Sequence, residues 1–150
     1  CTLALTCQVS SVLNREVKQF GKKYMFDRNE ETSWNSDQGA IQWLTMEFPQ
    51  TVQASQIQIQ FQGGFASQKL ILQGAALSTV LCYYFGGFYF YSISIRHLLF
   101  LNSCFFYSFP FKAEPLDKLK ITFQNSSDFF GRIIVYHLDI LGICEAGGLA

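Results

Sequence analysis

Apolar and polar positions alternate along two stretches in the first half of the chain. Residues 43–48 read WLTMEF and residues 56–62 read QIQIQFQ, so every second side chain in each stretch lies on an apolar face. A period of two is typical of β-strands that bury one face. Residues 49–55, PQTVQAS, predict a loop between the two strands, and Gly63 and Gly64 predict the turn that ends the second.

The same alternation returns toward the end of the chain. Residues 116–124, LDKLKITFQ, again place apolar side chains on one face of a predicted strand. Residues 125–128, NSSD, predict a turn, and residues 129–142 form a long apolar strand in which Gly131 allows a bulge or bend. Strands in both halves of a chain of 150 residues predict a single all-β domain, a β-sandwich.

One tryptophan stands among turn-forming residues at positions 32–39, TSWNSDQG. Such a residue usually plugs one end of a β-sandwich, while its Asn, Ser and Asp neighbours hydrogen-bond the loop backbone. We favour this interpretation of Trp34 over a tryptophan that stacks on a ligand. Residues 8–26 predict an opening strand or loop, because Gly21 ends any helical pattern early.

Charge and cysteine content narrow the classes of function. Eleven Lys plus Arg balance eleven Asp plus Glu, so the net charge favours neither nucleic acid nor an anionic membrane as a partner. Five scattered cysteines without a CxxC pair argue against a disulfide framework or a zinc site and for a reducing compartment. A basic cluster precedes an acidic one, which indicates a solvated rim or, alternatively, a bipolar docking surface: Arg15, Lys18, Lys22 and Lys23, then Asp27, Glu30, Glu31 and Asp37.

Residue types for catalysis are sparse. The histidines are His97, in an anomalous apolar segment, and His137, which we predict on the solvent face of the last strand rather than in a catalytic pair. Glu30 and Glu31 are adjacent in a turn, so their carboxylates diverge. The Gly-Gly pairs lack the spacing and the following helix of a phosphate-binding loop. We therefore predict no catalytic residues and no cofactor.

Residues 75–107 form the anomalous apolar segment. No charged residue lies between Lys69 and Arg96, and this window could cross a bilayer, since about 20 apolar residues suffice. Its Gly and Ser residues dilute a transmembrane helix, and its dense Tyr and Phe favour strands. Two buried strands at 80–85 and 88–95, turning at a Gly-Gly pair, are the second interpretation.

A third hypothesis concerns the gene rather than the fold. Most residues from 77 to 109 are Phe, Tyr, Leu, Ser or Cys, types with codons that begin with T. Translated T-rich noncoding sequence has this composition. An intron or a misassembled exon could therefore encode the segment, and sequencing of the transcript decides between the hypotheses.

Several long words of the sequence resemble a known family. They are SSVLN at 10–14, FGKK at 20–23, FD at 26–27, EET at 30–32, WNSDQG at 34–39, QIQFQGGF at 58–65, DFFGR at 128–132 and VYHL at 135–138. Together they resemble a family of small nuclear-receptor-associated proteins, partners and repressors of the testicular orphan receptor. The resemblance covers residues 9–74 and 108–142, and residues 27–43 also resemble the discoidin or coagulation-factor C-type module.

For the fold, the resemblance implies an all-β jelly-roll β-sandwich of the galactose-binding-like, discoidin-like class, with about eight strands. We expect a single domain at residues 9–142 that contains the anomalous segment. Residues 1–8 are expected to be a disordered or non-native segment, and residues 143–150 a flexible tail.

For function, the resemblance implies a non-enzymatic nuclear protein that binds the receptor and suppresses its DNA binding and transactivation. The expected location is the nucleus, with the cytoplasm as a second compartment, and neither direct nucleic-acid binding nor a membrane is expected. The alternative is a lectin-like module for carbohydrate or another small ligand, served by Trp34, Asp37 and Arg28.

Aromatic anchors with polar neighbours make good contact patches, so we predict the partner contacts on loops 27–39 and 62–68 and at the start of the last apolar run. The predicted partner-binding residues are Trp34, Asn35, Asp37, Gln38, Phe65, Phe129 and Phe130.

A calcium loop is the remaining possibility that the resemblance raises. Asp27, Asn29 and Thr32 are spaced like the loop that holds a structural calcium in some discoidin-like relatives. Arg28 stands where those relatives have glycine, and a cation beside the ligands opposes a divalent ion. An ordinary turn is therefore the preferred interpretation, and no metal is predicted.

Overall fold

The computed structural model of the chain describes residues 6–76, 79–85 and 105–144. This part of the chain holds seven strands: β1 (Thr6–Val9), β2 (Trp34–Asn35), β3 (Ile41–Phe61), β4 (Ser67–Ala76), β5 (Thr79–Phe85), β6 (Phe105–Ser126) and β7 (Ile134–Cys144). Between β1 and β2 lie two 3₁₀ turns, Leu13–Arg15 and Lys22–Met25, on either side of the short helix α1, Val17–Phe20. The strands pair antiparallel throughout.

Two long strands, β3 and β6, each run through both layers of the sandwich. Residues 41–47 of β3 pair with residues 118–124 of β6, and β1 lies on the other side of this half. Residues 52–61 of β3 pair with β7 on one side and with the first half of β6 on the other. Because β3 changes partners along its length, the strand order β2-β7-β3-β6-β4-β5 folds over into two facing layers.

The change of layer occurs where a loop was predicted. Residues 49–55 belong to β3, so the prediction of a loop there is wrong. The register of β3 against β6 shifts between Glu47 and Val52 and again between Ala54 and Gln56. Such irregularities accommodate Pro49, which cannot donate a ladder hydrogen bond, and they bend the strand from one layer into the other.

The alternating stretches supply the core, as their patterns predict. Leu44 and Met46 of β3 are fully buried, and so are Ile57, Ile59 and Phe61 farther along the strand. From β6 the buried face consists of Leu119, Ile121 and Phe123. The faces predicted from the period of two are therefore confirmed.

The N-terminal segment is more ordered than expected. Residues 6–8 belong to β1, whose backbone pairs with residues 45–47 of β3, so the expectation of disorder is corrected for these residues. The opening strand or loop predicted for residues 8–26 holds helical turns instead. Met25, at the end of the second 3₁₀ turn, is fully buried and anchors this segment to the core. At the other end, residues 143 and 144 of the expected tail lie in β7. The strand predicted for residues 129–142 begins only at Ile134, so the prediction is wrong for residues 129–133, which form a loop around Gly131.

Part of the anomalous segment lies inside the fold. Residues 79–85 form β5, which pairs antiparallel with β4, and residues 105–107 belong to β6. The second predicted strand, 88–95, the Gly-Gly turn and His97 lie outside the described residues. None of the helices in the described ranges has the length and apolar character needed to span a bilayer. The intron hypothesis remains a prediction.

Candidate functional site

Three loops meet at one end of the sandwich, and we call their surface the loop rim: residues 36–40, 62–66 and 126–133. Backbone hydrogen bonds join them directly. The Gly39 N–H donates to the Phe130 carbonyl at 3.0 Å, and the Ser127 N–H donates to the Ala66 carbonyl at 2.8 Å. The loop rim is therefore one connected surface although its loops are far apart in sequence.

Gly131 sets how closely two of these loops approach. Its φ is +82°, a conformation that residues with a Cβ rarely adopt. A Cβ at this position would lie 2.0 Å from the carbonyl oxygen of Gly39. Glycine is thus needed at position 131 both for the backbone conformation and for the contact with the neighbouring loop.

An ion pair fixes the loop that contains Gly131. The Arg132 guanidinium donates from Nε to Asp128 Oδ2 at 3.1 Å and from Nη2 to Oδ1 at 3.2 Å, which is a bidentate arrangement. The Arg132 backbone N–H also donates to Oδ2, at 3.1 Å. These hydrogen bonds from Arg132 hold the pKa of the Asp128 carboxyl below its usual value and raise the pKa of Arg132.

Aromatic rings surround the same guanidinium, and we call the group the Phe–Arg stack: Phe65, Phe129, Phe130 and Arg132. The guanidinium carbon lies 5.2 Å from the Phe65 ring centroid and 5.7 Å from that of Phe130, within range of a cation–π contact. Phe129 and Phe130 meet edge to face with their centroids 5.3 Å apart. Phe129 is 94% exposed and Phe130 53% exposed.

Trp34 does not belong to this surface. Its side chain is 0% exposed, its indole N–H donates to the Ser11 carbonyl at 3.0 Å, and its ring packs against Phe123. The interpretation of Trp34 as a plug is confirmed. Its assignment as a partner contact is corrected, because a fully buried ring cannot meet a partner in this conformation.

The polar residues predicted beside Trp34 mainly hold their own loop. Asn35 Oδ1 accepts a hydrogen bond from Ser33 Oγ at 2.7 Å, and Asp37 Oδ1 accepts one from the Gln38 N–H at 2.9 Å. Asn35 and Asp37 are half-buried, whereas Gln38 is exposed and adjoins Gly39 on the loop rim. No observation tests the predicted contacts of Asn35, Asp37 and Gln38, or those of the three phenylalanines of the Phe–Arg stack, and these stay predictions.

Sequence reasoning did not include Arg132 and Asp128 among the site residues. Both occur in the word DFFGR, and a carboxylate four positions before an arginine, with glycine between them, is a signal for a tight ion-paired turn. The two residues position the phenylalanines, which the sequence did single out.

The Asp27 turn is held by its own hydrogen bonds. Asp27 Oδ1 accepts from the Asn29 N–H at 3.0 Å, and Oδ2 accepts from the Thr32 hydroxyl at 2.5 Å. Burial acts to raise the pKa of Asp27, but the hydrogen bonds from Thr32 and Asn29 outweigh it and lower that pKa. Across the described ranges no three His, Cys, Asp or Glu side chains come close enough together to hold a metal ion. The hydrogen bonds from Asn29 and Thr32 close this turn on Asp27, and the absence of a metal stays a prediction.

The described residues that could take part in nucleophilic catalysis, Cys7 and His137, do not form a catalytic arrangement. Cys7 is buried, and this burial raises the pKa of its thiol to about 11, so the thiol stays protonated at neutral pH. His137 is half-buried on β7, with Nε2 3.1 Å from Asp139 Oδ2. A histidine beside a carboxylate supplies two of the three groups of a nucleophile–histidine–carboxylate triad. In the described part of the chain, no hydroxyl or thiol hydrogen-bonds to the His137 ring to complete it.

Two solved structures with this architecture are named as carbohydrate-binding modules. The chain superposes on chitosan-binding module 1 of a chitosanase/glucanase from Paenibacillus sp. IK-5 with a TM-score of 0.68 and 13% identity, covering 93% of this chain and 96% of that one. It superposes on the family 32 carbohydrate-binding module of NanJ from C. perfringens, solved with galactose, with a TM-score of 0.66 and 15% identity, covering 91% and 92%. The fold is therefore the predicted β-sandwich of the galactose-binding-like, discoidin-like class.

Sequence relatives are much closer. No protein-family model matches the chain. Nuclear receptor 2C2-associated protein of Danio rerio is 52% identical over 139 residues, which cover 90% of this chain and 89% of the relative. The proteins of the same name from Homo sapiens and Mus musculus are 48% and 45% identical, over 90% and 94% of this chain and 89% and 96% of the relatives. The chain belongs to the family of Nuclear receptor 2C2-associated proteins.

Proposed function

We propose that the protein is a non-enzymatic interaction module that binds a nuclear receptor of the testicular orphan type through the loop rim. Binding would suppress the receptor's engagement with DNA and its transactivation. The nucleus is the expected place of action, with a cytoplasmic pool, and neither nucleic acid nor a membrane is a direct partner. The names of the family members, which describe association with a nuclear receptor, support the receptor-binding part of this proposal.

The observation that carries the proposed site is the exposure of Phe129. A phenylalanine that is 94% exposed keeps nearly all of its apolar surface in water. Burying such a side chain against a partner gains about 1.5–3 kcal/mol. Phe130, at 53% exposure, extends the same apolar surface. Aromatic side chains held in one place are the residues that dominate binding energy at interfaces.

The charge of the Phe–Arg stack favours an apolar contact over an ionic one. Asp128 already takes two hydrogen bonds from the Arg132 guanidinium, so the cation is neutralised inside the loop. The remaining guanidinium surface faces the rings of Phe65 and Phe130. A partner would therefore contact the exposed rings of Phe129 and Phe130, over a loop whose charges are already paired. We expect the matching surface of the partner to be apolar with a polar border.

Phe129→Ala tests the site in a binding experiment with the purified receptor. Removing a central aromatic anchor should weaken binding about tenfold or more, measured by calorimetry or surface plasmon resonance. The matched control is Val17→Ala, because Val17 is 59% exposed and lies on α1, away from the loop rim. A double variant, Phe129→Ala with Phe130→Ala, that binds as tightly as the wild type would rule out the loop rim as the binding site.

Repression needs a separate readout. A gel-shift assay with receptor and its DNA element, and a reporter assay in cells, should show that the wild-type protein lowers DNA binding and transactivation. The Phe129→Ala variant should lower neither to the same degree. Fluorescence microscopy of the tagged protein checks the nuclear location. If the receptor binds the protein but keeps its full DNA affinity, the proposed association is supported and the proposed repression is wrong.

The lectin-like alternative loses its proposed site. It relied on Trp34 as the aromatic platform beside Asp37 and Arg28. Trp34 is fully buried, and the Asp37 carboxylate accepts a backbone hydrogen bond within its own loop. These three residues therefore do not form a carbohydrate site.

A further inference from the structure

The outer face of the layer formed by β3, β6 and β4 carries large apolar side chains. Successive side chains of a strand point to opposite faces, and the core takes Leu44 on β3 and Leu72 on β4. Ile41, Trp43 and Ile71 therefore lie on the outer face. Ile41 is 54% exposed, and Trp43 and Ile71 are half-buried. The outer face of an antiparallel sheet is normally polar, so these three residues need an explanation.

The strand register brings the three apolar side chains together. Trp43 and Ile71 both pair with Thr122 of β6, from its two sides. Neighbouring strands are about 4.8 Å apart, which places Trp43 and Ile71 about 10 Å apart with Thr122 between them. Ile41 lies two positions before Trp43 on the same face of β3. The three residues thus form one patch rather than isolated exposed side chains, and such patches mark interaction sites.

Lysines border the apolar patch. The Lys120 Nζ lies 5.3 Å from the Trp43 ring centroid, within range of a cation–π contact. Lys69 shares a row with Ile41, because both pair with Gln124 of β6. A cation therefore stands beside each part of the patch. We call this surface the Trp43 face: Ile41, Trp43, Lys69, Ile71, Lys118 and Lys120.

The Trp43 face is positively charged although the whole chain has no net charge. The Lys118 Nζ lies 3.3 Å from Glu47 Oε1, so this pair adds no net charge. Lys69 and Lys120 are the remaining charged outer residues at 41–47, 69–73 and 118–124. Three lysines against one glutamate leave two excess positive charges on these stretches. A complementary partner carries negative charge beside apolar groups.

We propose that the Trp43 face binds an acidic segment of a partner protein that also carries apolar side chains. The apolar side chains of the segment cover Ile41, Trp43 and Ile71, and its carboxylates pair with Lys69 and Lys120. A nucleic acid fits this face less well, because two of its three apolar side chains are aliphatic and offer no ring on which a base can stack. A second copy of the chain brings the same excess of cations, which repel.

Tryptophan fluorescence can report binding at this face. The chain has two tryptophans; Trp34 is fully buried, whereas Trp43 is partly exposed. The full chain is titrated with a short peptide in which Glu and Leu alternate. In two comparison peptides, Lys replaces Glu or Ser replaces Leu. We expect a saturable fluorescence change with the Glu–Leu peptide alone, and calorimetry should give the same affinity. Raising the salt concentration should weaken binding, because exposed charge pairs are screened.

Variants decide whether the named side chains are responsible. Trp43→Ala and Lys120→Glu should each weaken the Glu–Leu peptide about tenfold, measured by calorimetry. Lys18→Glu is the matched control for the charge reversal, because Lys18 is an exposed lysine on α1 and should leave the affinity unchanged. The thermal unfolding midpoint checks that the variants fold, and Lys120→Glu changes no core residue.

The proposal is wrong if the Glu–Leu peptide does not bind saturably, if either comparison peptide binds as tightly, or if both face variants keep the wild-type affinity. Tighter binding of a single-stranded oligonucleotide would also overturn it, as would self-association of the chain that Trp43→Ala abolishes. Phe129→Ala should leave the peptide titration unchanged, so failure at the Trp43 face and failure at the loop rim are distinguishable.

Discussion

Gly131 is the residue of the loop rim for which the structure makes the sharpest prediction. Gly131→Ala should destabilise the protein by about 2–4 kcal/mol, because it adds left-handed backbone strain to a steric overlap with the neighbouring loop. The added Cβ would lie 2.0 Å from the Gly39 carbonyl oxygen. Urea denaturation at neutral pH measures the change in the free energy of unfolding.

Gly64 separates these two causes. Its φ is +84°, close to that of Gly131, but no atom lies within 4 Å of the position of its Cβ. Gly64→Ala should therefore show only the backbone strain, about 1 kcal/mol. Equal losses in the two variants would mean that the contact between Gly131 and Gly39 has no energetic weight.

Individual residues show where sequence reasoning reaches and where it stops. Trp34 was correctly interpreted as a plug because its neighbours are turn-forming and polar. Phe129 and Phe130 were predicted as partner contacts, but the alternation pattern itself did not show that they are exposed, since it ends at the NSSD turn and a Phe-Phe pair fits a core equally well. Only the path of the loop, set by Gly131 and the Asp128–Arg132 ion pair, decides which way these rings point.

At the scale of elements, Gln42 connects the start of β3 to the segment after β1. Its side chain is buried, its Oε1 accepts from the Ser10 and Ser11 hydroxyls at 2.6 and 2.7 Å, and its Nε2 donates to the Asp37 carbonyl at 3.0 Å. Gln42→Leu fills most of the same space with an apolar side chain but loses all three hydrogen bonds. The free energy of unfolding should fall by about 1–3 kcal/mol, as buried groups lose their partners.

Gln50 provides the control on the same strand. It is exposed, so Gln50→Leu should change stability by no more than about 0.5 kcal/mol. Chemical denaturation of both variants gives the comparison. A Gln42→Leu protein as stable as the wild type would mean that water or rearranged side chains replace the lost hydrogen bonds without cost.

The elements themselves were predictable only where one face is buried. A period of two identified residues 43–48, 56–62 and 116–124, because each of these stretches has the core on one side. It failed over residues 49–55, where β3 passes between layers and no single face is buried throughout. The bulge at Tyr136, where β7 has one more residue than β3 between the pairs Gln60–His137 and Phe61–Val135, could not be predicted either. A bulge depends on the partner strand and leaves little signal in the sequence.

For the whole molecule, the sharing of β3 and β6 between layers predicts cooperative unfolding. Neither layer can detach without breaking a continuous strand, so the described sandwich should unfold in one transition. Tryptophan fluorescence and far-ultraviolet circular dichroism should give coincident curves in urea. Hydrogen exchange at Leu44 and Ile59, in the two halves of β3, should report the same free energy. Separate transitions would show that the layers are independent.

The close approach of Gly39 and Gly131 has a kinetic consequence. The Gly39 N–H bond to the Phe130 carbonyl holds the two loops together, so we expect their surface to be formed before any partner arrives. Docking there requires no prior folding of the loops and no waiting for a rare open form. The association rate constant with a partner should be about 10⁵–10⁷ M⁻¹s⁻¹, the range usual for preformed protein surfaces. Differences among rim variants should appear mainly in the dissociation rate, that is, in the residence time of the complex.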